Sequence, residues 1–264
     1  GCFNSLKCGI VLCDRLSTVS PTYAFELRHA YFAHGLSRII SENSYKMKGI
    51  LNGIGDNVNP KDDGFIYKKY WAGRYKTKCD NKAMLQRELG LIENPDIPVF
   101  AVISRLVDHK GIPLIERVGE NIPLEGAQLV VIGTGEKRFE DYFRWLQDKY
   151  PGMVSSNITF SNELASKVYA GADFFLMPSK SEPCGLSQMI AMKYGTIPIV
   201  RETGGLFDTV PPYNEMTGEG RGFTFKVYNA HDMLDAIMRA IEFYGKKEPL
   251  KALSKKIMLE DFSW

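Results

Sequence analysis

From Val99 to Val227 the chain alternates short, unbroken apolar runs with amphipathic stretches. Val99-Phe100-Ala101-Val102-Ile103 and Gln128-Leu129-Val130-Val131-Ile132-Gly133 read as strands with no polar face. Asn157 to Phe160, Ala172 to Met177, Thr196 to Val200 and Gly222 to Val227 follow as further strands. Helical patterns lie between them at Pro113 to Glu120, Glu136 to Lys149, Glu163 to Ala170 and Leu186 to Lys193, and Ala230 to Tyr244 closes the series. A strand without a polar face must be covered on both sides, and parallel strands need crossover connections. The predicted fold class is therefore α/β, a parallel sheet with helices on both faces.

Such sheets bind ligands beyond the carboxyl ends of their strands. Four of the predicted strand ends carry polar or glycine-rich loops. Ser104-Arg105-Leu106-Val107-Asp108-His109-Lys110-Gly111 holds two cations, Arg105 and Lys110, suited to a diphosphate. Gly133-Thr134-Gly135 lets a ligand approach the backbone. Pro178 to Gln188 brings a carboxylate, Glu182, and a glycine, Gly185, to a helix start. Arg201-Glu202-Thr203-Gly204-Gly205 exposes N–H groups at another, and Asp208 either caps nearby backbone or meets a ligand. Any one of these loops reads equally as a plain connection. Their convergence on one sheet edge is the functional signal.

The net charge of +2 gives no case for nucleic acid or a membrane surface. No apolar run reaches membrane-spanning length. The five cysteines are Cys2, Cys8, Cys13, Cys79 and Cys184, with no C-x-x-C pair and only four histidines. That argues against a zinc site or a disulfide framework and for reduced thiols in a cytoplasm. Near the start, Cys8 to Ser20 reads as a strand and turn. Thr22 to Phe32 reads as a helix with Pro21 near its first turn. Gly49-Ile50-Leu51-Asn52-Gly53 marks a break, with a boundary at 49.

Three segments together resemble bacterial glycogen synthases and starch synthases. They are Ser104-Arg105-Leu106 with Lys110-Gly111, the run Pro178 to Gln188, and Val200 to Leu206 with Asp208-Thr209-Val210. Thr18 to Ala24, Gly49 to Ile54 and Asp261-Phe262-Ser263-Trp264 extend the resemblance over nearly the whole chain. It implies two Rossmann-like domains facing across a cleft, the GT-B architecture. It implies retaining transfer of glucose from ADP-glucose, or UDP-glucose in some relatives, to the non-reducing end of an α-1,4-glucan. Residues 1–48 would be a remnant of the N-terminal domain, its last strand and helix. Residues 49–264 would be the C-terminal nucleotide-sugar-binding domain. The family's N-terminal Lys-Thr-Gly-Gly-Leu loop and active-site histidine have no counterpart, so the expectation is a fragment, inactive alone, whose partner is the missing domain.

By that resemblance Arg105 and Lys110 hold the diphosphate and stabilise departing ADP, with no metal or other cofactor needed. Glu182 lies beside the glucose and bonds a sugar hydroxyl. The backbone of Cys184, Gly185 and Leu186 meets the sugar and distal phosphate, with Ser187 opening the helix behind them. Gly133 and Gly135 sit near the nucleotide, and Thr203 and Gly204 complete the substrate-binding set. Ile190 stands where a broader group of retaining transferases has a second glutamate, which disfavours sucrose-type enzymes. Cys184 then lines the site and is no nucleophile, having no nearby histidine. Lys180-Ser181 replaces the more usual Arg-Phe. Two alternatives stand beside this reading: a non-catalytic nucleotide- or glucan-binding module, and a related retaining transferase with another sugar or acceptor.

Overall fold

The computed structural model describes residues 4–264, so Cys2 lies outside it. The chain opens with a helix, α1 (Ser5–Leu12), where a strand is expected from Cys8. A short apolar run fits either state by periodicity. Asn4 decides it by capping: its side chain accepts from Lys7 N at 3.0 Å. The strand comes later, as β1 (Leu16–Thr18). Ser20 caps α2 (Pro21–Glu26) by accepting from Tyr23 N at 3.0 Å, with Pro21 at the helix start. This helix stops at Glu26, short of the expected Phe32. The chain then turns through His34 and Gly35, at φ 46° and 84°, into α3 (Ser37–Glu42). β2 (Met47–Gly49) pairs in parallel with β1, Leu16 opposite Met47.

The main unit follows in order: α4 (Tyr75–Glu88), β3 (Val99–Ile103), α5 (Ile112–Val118), α6 (Asn121–Leu124), β4 (Gln128–Ile132), α7 (Lys137–Lys149), β5 (Val154–Asn157), α8 (Asn162–Gly171), β6 (Phe174–Met177), α9 (Ser187–Lys193), β7 (Ile197–Arg201), α10 (Gly204–Thr209), β8 (Phe223–Phe225), α11 (Ala230–Tyr244) and α12 (Lys247–Met258). The strand expected over Asn157 to Phe160 lies three residues earlier, because β5 pairs Leu129 with Val154 and Ile132 with Asn157. Besides the short α3 and α6, two long helices lack a counterpart in the sequence reading. α4 buries Lys78, Asn81, Lys82, Leu85 and Gln86, so its inner face carries no apolar period. α12 buries Leu250, Leu253 and Ile257 at helical spacing, but Pro249 in its first turn reads as a breaker.

The six-stranded sheet runs β5-β4-β3-β6-β7-β8, every pair parallel. The order reverses between β3 and β6, which is the topological switch point of a doubly wound sheet. Successive residues of one strand go to opposite cores, as the pleat requires. Phe100, Val102, Leu129, Val131 and Phe174 pack on the side of α5, α7 and α11. Val99, Ala101, Val130, Ile132 and Phe175 pack on the side of α4 and α8. Each of the larger of these side chains, fully buried, contributes about 1.5–3 kcal/mol. Among the described residues no helix is long and apolar enough to cross a membrane.

Candidate active site

The loops after β3 and β6 diverge at the switch point and leave a crevice between them. Gly111 makes the first turn possible. Its φ is 79°, and a Cβ there would stand 2.1 Å from the Pro178 carbonyl. The two loops are therefore in backbone contact, and Lys180 N donates to the His109 carbonyl at 2.9 Å. This contact carries Lys110 to Glu182: Nζ lies 2.7 Å from Oε2. Ser179 Oγ donates to the same carboxylate oxygen at 2.9 Å. Glu182 is 7% exposed, so its charge depends on these two partners.

Arg105 is exposed on the same rim, its guanidinium 3.3 Å from His109 Nε2. A guanidinium only donates, so Nε2 is the acceptor and the imidazole is neutral there. Burial, with Lys110 and Arg105 alongside, holds His109 below its ordinary pKa, which agrees. Arg105, Lys110, Ser179 and Ser187 line an open hollow of about 560 Å³. A second hollow of about 780 Å³ adjoins it, sharing Arg105 and Ser187 and walled by Gly133, Phe160, Tyr169 and Ile190. The first is cationic, the second mostly apolar.

The remaining expected residues divide. Gly133 lies at the second hollow, with a φ of 155° and no room for a Cβ, which would meet Ser104 O at 1.8 Å. Gly135 packs instead on the Leu106 backbone and donates its N–H to Glu140 at 2.9 Å. Gly185 adopts φ 71°, and Gln188 ties the turn by donating to the carbonyls of Cys184 and Gly185 at 3.2 and 2.8 Å. Leu186 is the N-cap residue of α9, which starts at Ser187. Cys184 is buried, and burial pushes its thiol above the ordinary range, as an inert thiol requires. Thr203 and Gly204 do not face the hollows. Thr203 Oγ1 and Gly204 N both donate to Glu26, at 2.8 and 3.1 Å. Asp208 takes the capping role, accepting from Thr22 N and Oγ1 at 3.0 and 2.6 Å. Ser179, His109 and Glu26 went unassigned in the sequence. Ser179 and His109 stand inside the singled-out loops. Glu26 lies 177 residues from Thr203 and carries no local signal.

Residues 90–256 match the family model of glycosyl transferases, group 1. The chain belongs to this family. Residues 1–42 of this glycosyltransferase chain match the model of the starch synthase catalytic domain. It is 49% identical over 260 residues to a glycogen synthase of Clostridium novyi, covering 98% of this chain and 54% of that protein. It is 47% identical over 265 residues to one of Bacillus cereus, covering 100% and 56%. The chain thus spans about half the length of the curated relatives it matches. The catalytic domain of starch synthase IV from Arabidopsis thaliana, bound to ADP and acarbose, superposes with a TM-score of 0.92 at 37% identity, over 99% of this chain and 55% of that one. A sucrose-phosphate synthase from Thermosynechococcus elongatus, at 21% identity and TM-score 0.66, shares the fold alone. The sheet and its helices match the GT-B architecture.

Proposed function

We propose that the chain is the nucleotide-sugar-binding part of a retaining glucosyltransferase that extends an α-1,4-glucan from ADP-glucose. The observation that carries this reading is the Lys110–Glu182 contact at the switch-point crevice, with Arg105 on the same rim. A cationic hollow beside an apolar one suits a nucleoside diphosphate: phosphates at Arg105 and Lys110, base against Phe160, Tyr169 and Ile190. Lys110 spends one N–H on Glu182 and keeps two for phosphate oxygens. It therefore links the carboxylate to the leaving group.

As the glycosidic bond to the diphosphate breaks, negative charge grows on ADP and positive charge on the glucose ring. Two fixed cations stabilise the first and Glu182 the second, without a metal. The relative that binds ADP and acarbose supports this choice, and UDP-glucose is the alternative nucleotide sugar. Residues 1–48, with the small β1–β2 sheet, belong in this reading to a second domain that brings the glucan. Transfer needs both substrates in near-attack geometry, so this chain alone is nearly inactive. A cytoplasmic setting suits Cys8, Cys13, Cys79 and Cys184, which are free thiols.

Calorimetric titration of this chain with ADP tests the reading. Binding that weakens in Arg105→Ala supports it. No binding up to millimolar ADP, or affinity indifferent to that substitution, overturns it.

A further inference from the structure

Beside the Glu182 loop, two buried polar atoms from groups of opposite charge lack hydrogen-bond partners among the described residues: Glu26 Oε2 and Arg201 Nε. They come from opposite sides of the proposed domain border. Arg201 holds the loop directly, and Glu26 holds the neighbouring turn that supports it. Arg201 NH1 donates to the Lys180 carbonyl at 2.7 Å. Glu26 Oε1 accepts from Thr203 Oγ1 and Gly204 N, and the next amide, Gly205 N, donates to the Glu182 carbonyl at 3.0 Å.

That turn has no slack. A Cβ on Gly204 would stand 2.0 Å from the Glu182 carbonyl oxygen, and one on Gly205 would stand 2.0 Å from that of Cys184. Any shift of residues 203–205 is therefore passed to Glu182. A buried polar group without a partner is unfavourable, and more so when it is charged. The two side chains form no ion pair in this structure, and a bond between Oε2 and Nε would satisfy both atoms while using neither Oε1 nor NH1, which hold the present partners. Burial lowers the pKa of Arg201, and the field of Glu26 opposes that lowering.

We propose that Glu26 and Arg201 close into an ion pair when the cleft is filled and act together as positioning residues for Glu182. The inference rests on the role given to Glu182 above. It makes the transfer geometry depend on a carboxylate supplied from outside the nucleotide-binding unit.

The test is a double-mutant cycle of Glu26→Gln and Arg201→Gln, with Asp208→Asn as control. Asp208 of α10 caps the first turn of α2 and so joins the same two helices, but makes no hydrogen bond to the loop. Glucose transfer is measured in the full-length enzyme and thermal unfolding in this chain. Each single variant is expected to lower kcat about 10–100-fold with KM for ADP-glucose within about threefold, as misplacement of a reacting group does. The double variant is expected to lose no more than the worse single one. Asp208→Asn is expected to lower the unfolding midpoint while keeping kcat. Multiplying kcat losses in the double variant overturn the pair. So does a raised KM with kcat intact, or a Glu26→Gln variant that behaves like Asp208→Asn. If the unaltered enzyme transfers no glucose from ADP-glucose, the reading of function falls instead. The melting cycle, run on this chain saturated with ADP or UDP, then decides the pair: a midpoint loss in the double variant equal to the sum of the singles overturns it.

Discussion

Two lysine–carboxylate pairs in this molecule have the same length and opposite settings. Lys82 meets Asp173 at 2.7 Å beneath α4, with side chains 4% and 8% exposed. Lys110 meets Glu182 at 2.7 Å in the crevice, with side chains 20% and 9% exposed. Their partners differ. Lys82 Nζ also donates to Tyr244 OH at 2.5 Å and to the Pro95 carbonyl at 3.4 Å, while Asp173 also accepts from Val99 N at 2.8 Å. All three ammonium donors are used. Among the described residues Lys110 has one acceptor, Glu182. A saturated pair fixes α4 and α11 to the sheet; an unsaturated one at the edge of a hollow has capacity left for a ligand. Distance alone does not separate the two.

The same substitution at both lysines should break the comparison if it is wrong. Lys82→Met leaves Asp173 buried without its countercharge and should cost about 3–5 kcal/mol in urea unfolding. Lys110→Met leaves Glu182 with Ser179 and should cost less, about 1.5–3 kcal/mol, by the same measurement. It should also weaken ADP binding about 10–100-fold by calorimetry, the loss of one charge-assisted contact. Equal stability losses at the two sites would show that both pairs are structural.

A third lysine sharpens the contrast. Lys78 lies under α4 and donates to Thr196 Oγ1 at 2.8 Å and the Ala170 carbonyl at 3.1 Å. Burial lowers its pKa from 10.5 to about 7. Between those values the unfolded chain holds a proton that the folded chain has released, so stability rises with pH from about 7 toward 10.5. The slope is at most about 1.4 kcal/mol per pH unit. Unfolding free energies across that window should show it, and Lys78→Met should remove it. The smallest effect belongs to the exposed Arg87–Glu93 pair at 2.9 Å. Arg87→Ala should change stability by under about 1 kcal/mol, less still in high salt. A larger loss would mean that exposure does not grade these pairs.

The saturated pair and the crevice pair were unequally legible. Arg105, Lys110 and Glu182 stand in loops whose glycines and strand ends mark them locally, and a family resemblance adds to that. Lys82 stands in a helix whose buried face is mostly polar, so no apolar period marks it. Its partners Asp173 and Tyr244 lie 91 and 162 residues away. The resemblance assigns Thr203 and Gly204 to the substrate-binding set; in the fold both donate to Glu26, a carboxylate that α2 brings from 177 residues away from Thr203.

The parallel sheet, most of the helices between its strands and the loops that end them can be read from local patterns of apolar residues, prolines and glycines. Which buried charges are saturated, which keep capacity for a ligand, and that Glu26 caps the turn holding Glu182 emerge only in the folded chain. Those outcomes depend on hydrogen-bond partners brought together from distant parts of the chain, and no local period records where a distant partner will arrive.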